Sequence, residues 1–164
     1  MDDEVVIAPA SPADVPAILS LIRALADYEK LTHQVVATEA LLREHLFGSK
    51  RIAEALVAKV DGVAVGFALF FTTFSTFLAR PGIWLEDLFV VPELRGRGIG
   101  KMLLMAVARI AVQREAGRLE WSVLDWNTPS IEFYERQGAT VMPDWRICRV
   151  TGEALQGLGS QNGR

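Results

Sequence analysis

A strand-like segment that runs into a glycine-spaced turn and then directly into a helix constrains this chain most. The residues are Glu86-Asp87-Leu88-Phe89-Val90-Val91-Pro92-Glu93-Leu94-Arg95-Gly96-Arg97-Gly98-Ile99-Gly100-Lys101. Glycines at 96, 98 and 100 leave the backbone N–H groups unobstructed, and the following helix aims its positive N-terminal end at the same place. Together they form an anion site suited to a pyrophosphate. Two common phosphate loops are excluded by spacing. A Walker loop needs Lys-Ser/Thr after its last glycine, but Met102 follows Lys101, and Arg95 stands where the first glycine belongs. A dinucleotide fingerprint needs G-x-G-x-x-G, whereas here the third glycine follows the second by two.

The chain has 164 residues, a length expected for one domain with a sizeable core. A net charge of −3 leaves no basic stripe for nucleic acid. Cys148 is the only cysteine, so no internal disulfide and no Cys/His zinc spacing exists. The acidic start Met1-Asp2-Asp3-Glu4 is unlike a secretory signal. No run reaches the roughly 18 apolar residues of a spanning helix. A cytoplasmic protein without metal, membrane or nucleic-acid partners is expected.

Periodicity and turn signals predict the order β-α-α-β-β-β-α-β-α-β. Val5–Ala8 reads as a strand, Ser11-Pro12 as a helix start, and Thr38 as the cap of a second helix. Ile52–Val60 and Val63–Phe77 read as a hairpin around Asp61-Gly62. Pro81-Gly82 reads as a turn before a strand over Ile83–Val91. A helix over Ile99–Arg114 ends at Gly117, a strand covers Leu119–Leu124, and a helix capped by Asn127 or Thr128 ends at Gly138. Thr140–Val150 reads as a last strand. The expected organisation is a single domain over 1–156 with a flexible tail over 157–164. The fold class is α+β, a mixed, mostly antiparallel sheet flanked by helices in three layers.

Arg95, Gly98 and Gly100 meet the pattern R-x-x-G-x-G of a coenzyme A loop. Asn127-Thr128-Pro129-Ser130-Ile131-Glu132-Phe133-Tyr134-Glu135-Arg136-Gln137-Gly138 meets N-x-x-[AS]-x-x-[FL]-Y-x-x-x-G. On both motifs the chain resembles the GCN5-related N-acetyltransferase (GNAT) superfamily. Ile7-Ala8-Pro9-Ala10, Tyr28-Glu29 and Trp84-Leu85-Glu86-Asp87 extend the likeness to the diamine (spermidine/spermine-type) and thialysine N-acetyltransferases.

The resemblance implies direct transfer of acetyl from acetyl-CoA to a primary amine. Glu86 would be the general base, through a water, and Tyr134 the acid for the departing thiolate. Leu88, Phe89 and Val90 would pair with the pantetheine arm. Arg95, Gly96, Arg97, Gly98, Ile99, Gly100 and Lys101 would hold the pyrophosphate, with Asn127, Ser130 and Tyr134 also on the cofactor. Tyr28, Glu29, Trp84, Glu86 and Asp87 would receive the cationic amine, in a homodimer. Strand alternation predicts that only one of Glu86 and Asp87 faces a given cleft. Polyamine enzymes carry further acids after the Tyr-Glu pair, where this chain has Lys30-Leu31-Thr32-His33. That favours a shorter amine. A non-catalytic acyl-CoA-binding module would keep the loop but have no need of Glu86 and Tyr134. His33 and His45 have no partner spacing that would make them catalytic.

Overall fold

The computed structural model describes residues 4–161, which fall into two compact units meeting in sequence between Ser122 and Val123. The first unit is a five-stranded sheet with helices. Its strands are β1 (Val5–Pro9), β2 (Glu54–Val60), β3 (Val63–Ser75), β4 (Arg80–Val90) and β5 (Leu119–Glu120), and its helices are α1 (Val15–Tyr28), α2 (Glu39–Phe47) and α3 (Ile99–Gln113). The sheet order is β1-β2-β3-β4-β5. The first three pairings are antiparallel, and only β4 with β5 is parallel. The expected α+β mixed sheet with flanking helices is borne out.

Local chemistry explains most boundaries. Asp61 and Gly62 take φ of +50° and +80°, which suits the right-handed twist of the β2–β3 hairpin. Thr38 Oγ1 accepts from the Leu41 N–H and starts α2. Helix α1 buries Val15, Ile18, Leu19 and Ala26 along one stripe at helical spacing. Ile18 and Leu21 pack with Leu46, Val57, Phe67 and Phe89 into one core cluster. Gly66, adjacent to Phe67, faces the other side of the sheet, where its missing side chain leaves room for Leu103 of α3. Helices α1 and α3 therefore cover opposite faces, giving three layers. Phe67 and Phe70 are essentially fully buried, each contributing about 1.5–3 kcal/mol of burial.

Four expectations are corrected. Pro81 and Gly82 lie inside β4, opposite Phe74 and Thr73, and the turn sits before them, with Ala79 at φ +51°. Gly117 does not terminate α3. Glu115 takes the left-handed position at φ +56°, and the Ala116 N–H closes onto the Ala111 carbonyl. The strand expected to reach Leu124 stops at Glu120, and no strand forms over 140–150. A strand exists only where a neighbouring edge accepts its ladder, and an alternating pattern alone supplies no edge.

The second unit holds α4 (Thr128–Arg136) and α5 (Gly152–Gly159). Asn127 caps α4, and Gly138 closes it at φ +93° with the Ala139 N–H on the Tyr134 carbonyl. The expected tail is helical where α5 covers 157–159, and 162–164 lie outside the described residues.

Candidate active site

The ladder between β3 and β4 slips once. Leu69 pairs with Asp87 and Phe70 with Leu85, so Glu86 is the extra residue of a β-bulge. This overturns the alternation argument. A bulge puts two successive side chains on one side, and here both Glu86 and Asp87 line the same pocket, of about 400 Å³. The Trp84 indole Nε1 donates to Glu86 Oε2 at 2.9 Å and steadies the exposed carboxylate.

The opposite wall comes from the end of α1. Lys30 adopts φ +61°, and the Leu31 N–H bonds the Ala26 carbonyl at 2.7 Å, turning the chain back. Glu29, Leu31 and Val35 then join Ile22 and Leu25 in lining the pocket. The result is an apolar wall with three carboxylates: Glu29, Glu86 and Asp87. Burial, then the charges of Glu86 and Glu29, push the Asp87 carboxyl up to about 7. Burial also raises Glu29. Such a site lacks positive charge, and an entering ammonium would supply it. The apolar residues of 31–37 were missed in the sequence, because nothing local signals that this segment folds back. Tyr28 and Trp84 are not in the pocket lining; Tyr28 lies against Arg95 and Trp84 against Glu86.

Further along β4, Leu88, Phe89 and Val90 pair on one edge with Ala68, Phe67 and Gly66. On the other edge β5 reaches only Ile83 and Trp84. Among the described residues no strand pairs with that edge at Leu88–Val90; the Val90 carbonyl accepts from Arg95 Nε, and the remainder of the edge suits an extended ligand arm.

After β4, Pro92–Leu94 forms one 3-10 turn. Gly96 and Gly98 take φ of +78° and +79°, and Gly98 is the residue from which α3 starts. It offers no capping side chain, so the N–H groups of Ile99, Gly100 and Lys101 have no intrahelical acceptor. Ile99, 1% exposed, anchors this turn in the core. Gly100 differs from its neighbours. Its backbone is not left-handed, and a Cβ there would meet only Val90 Cγ2 at 3.8 Å. The chain itself has no need of glycine at 100, whereas a phosphate lying on the bare backbone would. The loop therefore fits a pyrophosphate-bearing cofactor.

Arg95 is turned elsewhere. Its Nε donates to the Val90 carbonyl at 3.1 Å, and its Cζ lies 4.6 Å from the Tyr28 ring centre and 5.4 Å from that of Phe89.

The remaining expected residues belong to the second unit. Asn127 is 5% exposed, and its Oδ1 accepts from the Ser130 N–H at 3.4 Å, which makes it a helix cap. Phe133 and Tyr134 pack with ring centres 5.3 Å apart.

A glycine loop at the end of β4 and an acidic pocket lined by the same strand suit a group-transfer enzyme with a pyrophosphate-bearing cofactor and a cationic substrate. The profile of the Acetyltransferase (GNAT) family matches residues 20–139. The chain belongs to this family and is an N-acetyltransferase. It is 37% identical to thialysine N-epsilon-acetyltransferase of Bos taurus, over 96% of this chain and 98% of that one. It is 36% identical to L-ornithine N5-acetyltransferase of Arabidopsis thaliana, over 93% of this chain and 87% of that one. The structure superposes on an integron cassette protein of V. cholerae with a TM-score of 0.80 at 24% identity, covering 96% and 98% of the two chains. Among the described residues, no helix is long and apolar enough to cross a membrane.

Proposed function

We propose that this enzyme acetylates the side-chain primary amine of a short cationic amino acid or small diamine, of the ornithine or thialysine kind, using acetyl-CoA. The observation that carries the reading is the pocket in which Glu29, Glu86 and Asp87 meet an apolar wall. Three carboxylates attract an ammonium, and the apolar wall suits its aliphatic stem. A pocket of about 400 Å³ is at the lower end of ordinary ligand sites, in keeping with a short amine. The names of the thialysine and ornithine relatives point the same way.

Acetyl-CoA supplies the thioester whose acetyl group becomes the amide, leaving a free thiol. Glu29 and Asp87 hold the ammonium. Glu86, through a water, accepts its proton, because an alkyl ammonium of pKa near 10 is not a nucleophile at neutral pH. Trp84 keeps one Glu86 oxygen oriented while the other remains for the proton. Tyr134 donates its phenolic proton to the leaving sulfur. Main-chain groups of Leu88, Phe89 and Val90 pair with the pantetheine arm. Gly96, Arg97, Gly98, Ile99, Gly100 and Lys101 hold the pyrophosphate, and Asn127 and Ser130 are further cofactor contacts in this reading.

The enzyme acts as a cytoplasmic homodimer built from single-domain protomers. Val141, Met142, Trp145, Ile147 and Val150 are exposed along a segment with strand-like alternation, a surface that a second copy would cover. Light scattering on the purified chain tests this, and a monomer would refute it.

Thiol release with acetyl-CoA across ornithine, thialysine, lysine, diaminopropane, spermidine and aminoglycosides tests the activity. Turnover is expected with the short amino acids and diamines. Release with none of these amines, despite CoA binding, would leave the chain a non-catalytic acyl-CoA module.

A further inference from the structure

We propose that Arg95 is a positioning residue: its guanidinium ties the glycine loop to the wall of the amine pocket instead of binding phosphate. The inference rests on the acetyl-transfer reading above. Three contacts hold the Arg95 head group against its own chain. Nε is committed to the Val90 carbonyl, the last residue of β4, at 3.1 Å. The plane lies over Tyr28, with Cζ 4.6 Å from the ring centre, and close to Phe89. An arginine used this way exploits its planar, weakly hydrated head, which lysine cannot reproduce.

The consequence follows from where these partners sit. Arg95 immediately precedes Gly96, the first left-handed glycine of the loop. Tyr28 is the last residue of α1, and the next residue, Glu29, lines the pocket. Val90 ends the strand that carries Glu86 and Asp87. Arg95 therefore joins, through one side chain, the cofactor loop, the carboxylate strand and the turn that shapes the pocket wall. A pyrophosphate seated on Gly96–Lys101 fixes the backbone at Gly96. Through Arg95 and Tyr28 it orders the 29–37 wall, so the amine meets a formed pocket only when the cofactor is in place. Linkage requires the reverse as well, with the amine tightening CoA.

The test uses Arg95→Met, Tyr28→Leu and their double variant in the full chain. Expected is a CoA Kd by calorimetry within about threefold of the parent for Arg95→Met, and an amine KM at saturating acetyl-CoA raised about three- to tenfold, the scale of one exposed-to-buried cation–π contact. Tyr28→Leu should raise KM similarly, and the double variant no further, because both remove one contact. CoA should slow amide exchange over 29–37 in the parent and not in Arg95→Met. If Arg95→Met instead raises the CoA Kd about tenfold or more, with amine KM and CoA-induced protection unchanged, Arg95 is a phosphate ligand and the proposal fails. Arg95→Lys gives the same readings should the methionine variant not fold. A parent enzyme silent with every amine would sink the acetyl-transfer reading, while the exchange measurement would still decide the role of Arg95.

Discussion

Trp84 Nε1 donates to Glu86 Oε2 at 2.9 Å across two positions of one strand, and Glu86 is the extra residue of the bulge that brings Asp87 into the same pocket. Without the extra residue, Trp84 and Glu86 would stand side by side on a regular pleat and Asp87 would turn away.

Glu86→Gln is expected to lower kcat about 10²-fold or more, the scale of a lost general base. Trp84→Phe, which keeps the ring and removes the donor, should lower kcat by about tenfold at most. In the Glu86→Gln background Trp84→Phe should have little further effect. Steady-state rates of the four forms check this, and additive losses would show that Trp84 acts apart from Glu86.

Asp87 carries the pH dependence. With its carboxyl near 7, its ionised fraction rises about tenfold between pH 6 and 8. Amine affinity should rise over that interval and flatten in Asp87→Asn. The stability effect has the opposite sign. A raised folded pKa favours the fold fully below about 4, the ordinary value, and that contribution is lost as pH rises through about 7. Thermal melts at pH 8 should show Asp87→Asn more stable than the parent, and a less stable variant would contradict the buried-carboxylate account.

Gly98→Ala and Gly100→Ala separate fold from ligand. Gly98 sits at φ +79°, so alanine there should cost about 1–2 kcal/mol in a denaturant melt. Gly100 has room for a Cβ and no left-handed backbone, so alanine should leave stability within about 0.5 kcal/mol or raise it. CoA affinity should nonetheless fall, since the methyl would occupy the phosphate's place. Unchanged CoA affinity in Gly100→Ala would refute the loop assignment.

Arg114 reaches from the end of α3 to Glu54 at the start of β2 with two hydrogen bonds, 2.6 and 2.8 Å. The hydrogen bonds from Arg114 hold the Glu54 carboxyl below its ordinary value of 4.5. Its contribution is therefore present above pH 4.5 and lost as pH falls through the lowered value. Both side chains keep solvent contact, so Glu54→Gln should cost about 1 kcal/mol or less at neutral pH. Urea melts at pH 7 and pH 3 should show the difference shrinking in acid.

Features legible in the sequence are those whose physics is local. Thr38 and Asn127 cap helices with their own side chains, Asp61-Gly62 turns a hairpin, and Gly138 closes a helix. The pairing of two strands lies beyond that reach. The bulge at Glu86 depends on the register against Leu69 and Phe70. Lys30 and Glu115 hold left-handed positions usually given to glycine because the C-terminal hydrogen bonds of their helices close there. Thr140–Val150 has strand-like alternation and forms no strand, because pairing is decided by partners outside the segment.

The sequence by itself determined the glycine loop, because positive φ and a helix N-terminus are properties of consecutive residues. Only the tertiary structure decided the acidic pocket. Its carboxylates come from the end of α1 and the bulged middle of β4, and the burial of Asp87 beside the charges of Glu86 and Glu29 exists only once those elements are packed together.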